Sequence, residues 1–134
     1  MTQPGASAQH TYQVTDADTA ASLGSGDLAV LGTPRLLAWC EQQTVAAVAA
    51  DLAPGSSSVG AEVSIEHLRP SQVGASVHVT AWLVHIDDRR YRFEVVANDD
   101  SGDVVGRGEI IRVVVDADRF MSRLPRRSGF DVDP

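Results

Sequence analysis

An α+β fold, in which one long helix packs on a curved antiparallel sheet, is what the pattern of this chain predicts. The first observation is an apolar, alanine-rich stretch from Pro34 to Leu52 with helical spacing. The second is a change of period: after position 58 apolar residues recur every second place, as far as residue 115. The third is the shortness of the joints between the alternating stretches, which carry Asp, Gly, Pro and Ser as hairpin turns do. The expected order is a short strand, a loop, the helix and then four strands.

Residues 1–10 read as a flexible lead, 11–122 as one domain and 123–134 as a C-terminal tail. Thr11 to Val14 predicts a short edge strand. Thr15 to Asp18 offers a helix start and Gly24 to Gly26 a turn, inside a polar segment that runs to Leu31. Thr33 is expected to cap the long helix, with Pro34 at the first helical position, where its missing N–H costs nothing. On that helix Leu37, Cys40, Glu41, Thr44, Val45 and Val48 share one face, and Pro54 and Gly55 lie just past its end.

In the first long strand Val59, Ala61, Val63 and Ile65 are expected inward, with His67 ending the series. Val73 to Ile86 repeats the pattern through Val77, Val79, Ala81 and Leu83; Arg89 to Ala97 repeats it through Tyr91, Phe93 and Val95. Val104 to Val115 is β-branched, with Gly106 and Gly108 where the sheet bends or something packs closely. This arithmetic leaves Trp82, Val84, Ile86, Val96, Ile110 and Val114 on the face away from the helix. Apolar surface of that kind marks an interface, so at least a homodimer is expected.

A chain of 134 residues supports one core. Its formal net charge of -7 repels nucleic acid and anionic membrane on average, so neither is an expected partner, although a few arginines can outweigh that average at one point. No run approaches the roughly 20 apolar residues that a membrane helix needs. The first nine residues lack the basic start and apolar run of a signal peptide. Cys40 is the single cysteine, which suits a reducing cytoplasm, and its neighbours Leu37, Trp39 and Val45 predict a small buried hydrophobe.

Two residues break the apolar pattern. Glu41 puts a carboxylate on a helix face expected to be covered, where it must find a partner, change its pKa or do chemistry. His67 replaces the next inward apolar residue of its strand and is placed to orient a carbonyl or a reacting partner. Thr33 adds a hydroxyl at the mouth of the same helix. The histidines at 10, 67, 78 and 85 lack a compact ligand spacing, so no metal is expected. His78 falls on the outward face of its strand. A glycine-rich nucleotide loop and a Gly-x-Ser-x-Gly elbow are both missing, and no cofactor is expected. Arg123, Arg126 and Arg127 cluster in the tail, where solubility accounts for them.

From about Leu31 to about Phe120 the chain resembles the hotdog fold, and within it the fluoroacetyl-CoA thioesterase-like branch. The likeness is densest at Thr33–Glu41 and Leu52–His67. The family's threonine before the helix, its glutamate within the helix and its histidine at the strand end fall on Thr33, Glu41 and His67, and its Leu-x-Pro-Gly link and following glycine on Leu52, Pro54, Gly55 and Gly60. The resemblance implies a sheet wrapped around one central helix, subunits joined edge to edge, and hydrolysis of an acyl-CoA or related thioester. Glu41 would then activate water or attack the carbonyl, while His67 and Thr33 orient the reacting groups. An amide near Gly60 or at the helix start would bind the oxyanion, and Arg69 and Arg123 would meet the CoA phosphates. The departure lies upstream: the fluoroacetate-specific enzyme carries a longer, phenylalanine-rich lid, whereas Thr19 to Leu31 here holds no aromatic residue. That argues against selection of a fluoroacetyl group. The rival reading is a non-catalytic acyl-CoA or small-ligand binding protein on the same scaffold.

Overall fold

The structure is a computed structural model and describes residues 2–125. Strand β1 (Ser7–Gln13) is followed by a 3-10 turn (Asp16–Asp18), a short helix α1 (Ala20–Leu23) and the long helix α2 (Thr33–Val48). Four strands follow, β2 (Ser56–His67), β3 (Ser76–Asp87), β4 (Arg90–Asn98) and β5 (Val104–Asp116), and then helix α3 (Ala117–Ser122). One antiparallel sheet runs in the order β1-β3-β4-β5-β2 and packs against α2, with β1 and β2 as its edges. The predicted strand, long helix and four strands occur in that order, and the 3-10 turn, α1 and α3 are added to them. β1 begins earlier than expected and takes in residues 7–10 of the predicted lead, because those residues pair with Val79 to Trp82 of β3. Most of the predicted tail, from residue 126 on, lies outside the described residues. No helix among the described residues is long and apolar enough to cross a membrane.

The buried face of α2 carries Leu36, Trp39, Cys40, Gln43, Thr44 and Val48, turned about one position from the expected stripe. β1 is the reason. Tyr12 stacks on Trp39 at 4.5 Å, its hydroxyl donates to Gln42, and the Gln43 amide donates to it, so that flank is covered. Val45 lies on the other flank, 44% exposed beside β2. Cys40 is buried as expected, and burial pushes its thiol up to about 12.

The inner face of the sheet supplies Val77, Val79, Ala81, Phe93, Val95, Ala97 and Ile110 to the core. Gly106 lets α2 come close, since a Cβ there would meet Leu36 Cδ2 at 2.8 Å. At Gly108 a Cβ would run into the Ser64 carbonyl and the Ile65 backbone.

Irregularities in the ladders overturn part of the predicted facing. β2 shifts register between Gly60 and Glu62, leaving Ala61 unpaired, and β3 shifts between Leu83 and His85. A bulge exchanges inner and outer positions beyond it. Ile86 thus joins the inner cluster with Leu83 and Phe93. Ile110 is fully buried in the main core, and Val114, on the same face of β5, also points inward. In β2 Ser58 and Gly60 face inward before the shift, and Val63, Ile65 and His67 after it. Of the apolar residues expected outside, Trp82 and Val96 remain there, and Val84 is unpaired at the β3 register shift. Most of that outer surface instead carries the pairs Arg90–Glu62, Arg92–Glu109 and Arg107–Glu66. At the β2 edge Val45, Val63 (48%) and Leu68 (46%) stand open, and a second exposed apolar group, Phe120, Met121 and Leu124, lies at α3.

Candidate active site

The predicted site residues fall into two groups. At the start of α2 the N-cap is Gly32, and Thr33 is already helical, contrary to expectation. Glycine suits that cap because a Cβ at position 32 would lie 3.0 Å from Leu23 Cδ1 and 3.1 Å from the Ala20 Cα. Released from capping, the Thr33 hydroxyl lies 2.8 Å from His67 Nδ1. The other ring nitrogen, Nε2, is buried and has no hydrogen-bond partner among the described residues. Burial lowers the pKa of His67, which favours the neutral imidazole. Both residues line an open cleft of about 290 Å³ together with Ala20, Val30 and Arg69. Arg69 is exposed and stands 3.5 Å from Asp103.

The second group centres on Arg112, which the pattern of the chain did not single out. Its guanidinium donates from Nε to Ser58 Oγ at 2.8 Å, from Nη2 to the Ser58 carbonyl at 3.0 Å and from Nη1 to Glu41 Oε2 at 3.3 Å. Burial lowers the pKa of Arg112, the Glu41 charge raises it, and it stays cationic near neutral pH. Glu41 is therefore an ion-paired carboxylate rather than an unpartnered one, with its side chain 35% exposed. Its Oε1 accepts no hydrogen bond among the described residues. Gly60 completes the group, because a Cβ there would lie 2.7 Å from Glu41 Oε2. A lone arginine within the run Ile110 to Val115 was the available signal.

One chain does not bring the two groups together. Thr33 and Glu41 are eight residues apart on α2, about 12 Å along its axis. Gly60 and His67 are separated by roughly 20 Å of β2. Arg123 belongs to neither group; it lines a cleft with Arg89 and Phe120 at the far end of β5. His78 faces outward as expected, between Thr11 and Asp100 at 2.8 Å each.

The fluoroacetyl-CoA-specific thioesterase family, FlK, matches residues 14–118. The chain belongs to this family. A fluoroacetyl-CoA thioesterase of Streptantibioticus cattleyicolor is 29% identical over 99 residues, 74% of this chain and 70% of the relative. Among solved structures, an FlK variant in complex with fluoroacetate and CoA is 27% identical, with a TM-score of 0.82 over 89% of this chain and 99% of that one. A hot-dog-like protein from Thermanaerovibrio acidaminovorans is 25% identical, with a TM-score of 0.81 over 92% of this chain and 94% of its own. The fold is thus the hotdog, and the FlK family makes acyl-CoA thioester hydrolysis the reaction class of this enzyme.

Proposed function

We propose that this FlK-family thioesterase hydrolyses acyl-CoA at sites shared between two protomers of a homodimer, each built from Glu41 of one and Thr33 and His67 of the other. The observation that carries the chemistry is the Glu41 carboxylate, held through Oε2 by the buried Arg112 while Oε1 stays free. A carboxylate fixed at one oxygen presents the other in a defined direction. Oε1 either removes a proton from water as that water attacks the thioester carbon, or attacks the carbon itself to give an anhydride that water opens. In both routes the C–S bond breaks, the thiolate takes up a proton, and a carboxylic acid and free thiol leave. His67, its ring held by Thr33, is the candidate to orient the thioester, and the Gly60 amide is the candidate oxyanion donor.

The separation within one chain and the open apolar groups on the β2 edge support the shared arrangement. An antiparallel pairing of β2 with its own copy, centred between Val63 and Ser64, sets Gly60 of one protomer opposite the partner's His67. Segment 19–31 contributes Ala20, Ser25, Val30 and Leu31 to the cleft wall, with no aromatic ring, which supports an acyl group other than fluoroacetyl. A single buried Cys40 and a reducing cytoplasm are consistent with each other.

The test is a thiol-release assay over short, branched, aromatic and long acyl-CoAs. Wild-type protein should turn over at least one of them, with no preference for fluoroacetyl-CoA over acetyl-CoA. Glu41→Gln should lose about 100-fold or more while still melting cooperatively. Saturable acyl-CoA binding without thiol release from any substrate would establish the binding-protein reading instead. Near-wild-type turnover by Glu41→Gln would remove Glu41 from the mechanism.

A further inference from the structure

The cleft that holds Thr33 and His67 is lined by one arginine, Arg69, and by no carboxylate. The rest of its wall is small or apolar, with Ala20, Val30, Leu31 and Leu68, and Ser25 adds a hydroxyl. Burial disfavours the charged form of His67, so Arg69 carries the positive charge of the cleft. The Leu68 and Arg69 amides both donate to the Val105 carbonyl, at 2.8 and 3.3 Å, which ties this segment to the start of β5. Pro70 restricts the Arg69 backbone to extended conformations. The guanidinium is less committed than its backbone. Its ion-pair partner, Asp103, lies 3.5 Å away, and both side chains are more than half exposed. A long surface pair of this kind is weak and gives way to a better-placed carboxylate.

We propose that Arg69 selects the acyl group, and that the substrates are thioesters of short dicarboxylic acids whose free carboxylate Arg69 binds. The inference rests on the thioesterase reading and deepens it by naming the class of acyl group. Distance favours this role over a contact with the CoA phosphates. Two residues of extended chain from His67 to Arg69 span at most ~7 Å, whereas the phosphates stand a whole pantetheine arm from the thioester carbon. A succinyl or glutaryl chain puts its far carboxylate about 4–5 Å from that carbon, within reach of a long arginine side chain. The guanidinium presents forked donors that fit a carboxylate. A longer apolar chain would have to pass that cation and strip its water, which is unfavourable. The small side chains of the wall and a volume of about 290 Å³ leave room for the short chain. The chemistry is the hydrolysis already described: the C–S bond breaks, and a dicarboxylic acid and free thiol leave.

Thioether analogues, which lack the cleavable carbonyl, separate binding from hydrolysis. S-(4-carboxybutyl)-CoA, titrated calorimetrically into the full-length protein, should bind about tenfold or more tightly than S-pentyl-CoA. Arg69→Gln should melt like wild type and lose that preference, with S-pentyl-CoA binding unchanged. In thiol release, wild-type kcat/KM should favour glutaryl-CoA over valeryl-CoA, or succinyl-CoA over butyryl-CoA, by a similar factor, and the variant should not. Equal binding of the two thioethers by the wild type overturns the proposal even if thioesters are hydrolysed. A preference that survives in Arg69→Gln overturns it too. Every probe carries the same CoA, so an arginine that met the phosphates would weaken both thioethers alike in the variant, and that outcome also overturns the acyl assignment. If the preference is present and lost in the variant but no thioester is hydrolysed, the role of Arg69 stands and the hydrolase reading falls.

Discussion

His67 shows what burial does to a single titratable side chain. Its imidazole is bonded at Nδ1 to Thr33, has no partner at Nε2 among the described residues, and is harder to protonate than in the unfolded chain. Below about pH 6.5 the unfolded chain therefore binds more protons than the folded one, and stability rises with pH across that window. The contribution is fully present above the unfolded pKa and is lost as pH falls toward the folded value. The expected outcome is a melting temperature that drops more steeply between about pH 6.5 and 5 in wild type than in His67→Ala, whose turnover should be low throughout. Parallel melting profiles for the two proteins would show that the ring is not held neutral by the fold.

Three glycines decide how closely neighbouring elements approach, and each faces a different kind of neighbour. Gly60 faces the end of a flexible side chain, the Glu41 carboxylate, whereas Gly108 faces the fixed backbone of Ser64 and Ile65. Their alanine variants should therefore part company. Gly60→Ala should fold, with Glu41 displaced from Arg112 and hydrolysis largely lost. Gly108→Ala forces β5 and β2 apart and should cost about 2 kcal/mol or more. Denaturant melts beside thiol-release rates test this pair; a stable Gly108→Ala, or a fully active Gly60→Ala, would contradict the packing described. Gly106 is the intermediate case, since it meets the movable methyl group of Leu36. The prediction that something packs closely at 106 and 108 was legible in the sequence, because glycine interrupts a β-branched run there. Which element approaches was not legible, because that depends on strand register.

At the scale of the molecule, the two halves of the proposed site lie too far apart in one protomer to act on one thioester. The open edge of β2 is where a second copy can close that gap. Glu41→Gln and His67→Ala proteins, each inactive alone, should therefore recover activity when their subunits exchange. Equal mixing makes half the dimers mixed, each with one intact site, so about one quarter of wild-type turnover is expected. No recovery despite demonstrated exchange, or a monomer in sedimentation at micromolar concentration, would place the whole site in one chain.

The local order of the fold is written in the sequence, because helical and alternating periods, turn residues and Pro34 act over a few neighbours. The same local logic marked Glu41 and His67 as departures from an apolar pattern and Thr33 as a hydroxyl at the helix mouth, and the family spacing marked Gly60. Tertiary structure decided what those residues touch. The run Ile110 to Val115 is apolar on both faces, so its period could not say that Ile110 points into the core or that Arg112 reaches Glu41. That was settled by the pairing of β5 with β2 across the unpaired Ala61. Likewise the pairing of β1 with β3 brings Tyr12 over Trp39 and turns Val45 outward. Register is a non-local quantity: a one-residue slip exchanges the two faces of a strand, and only the contacts of the folded sheet choose between them.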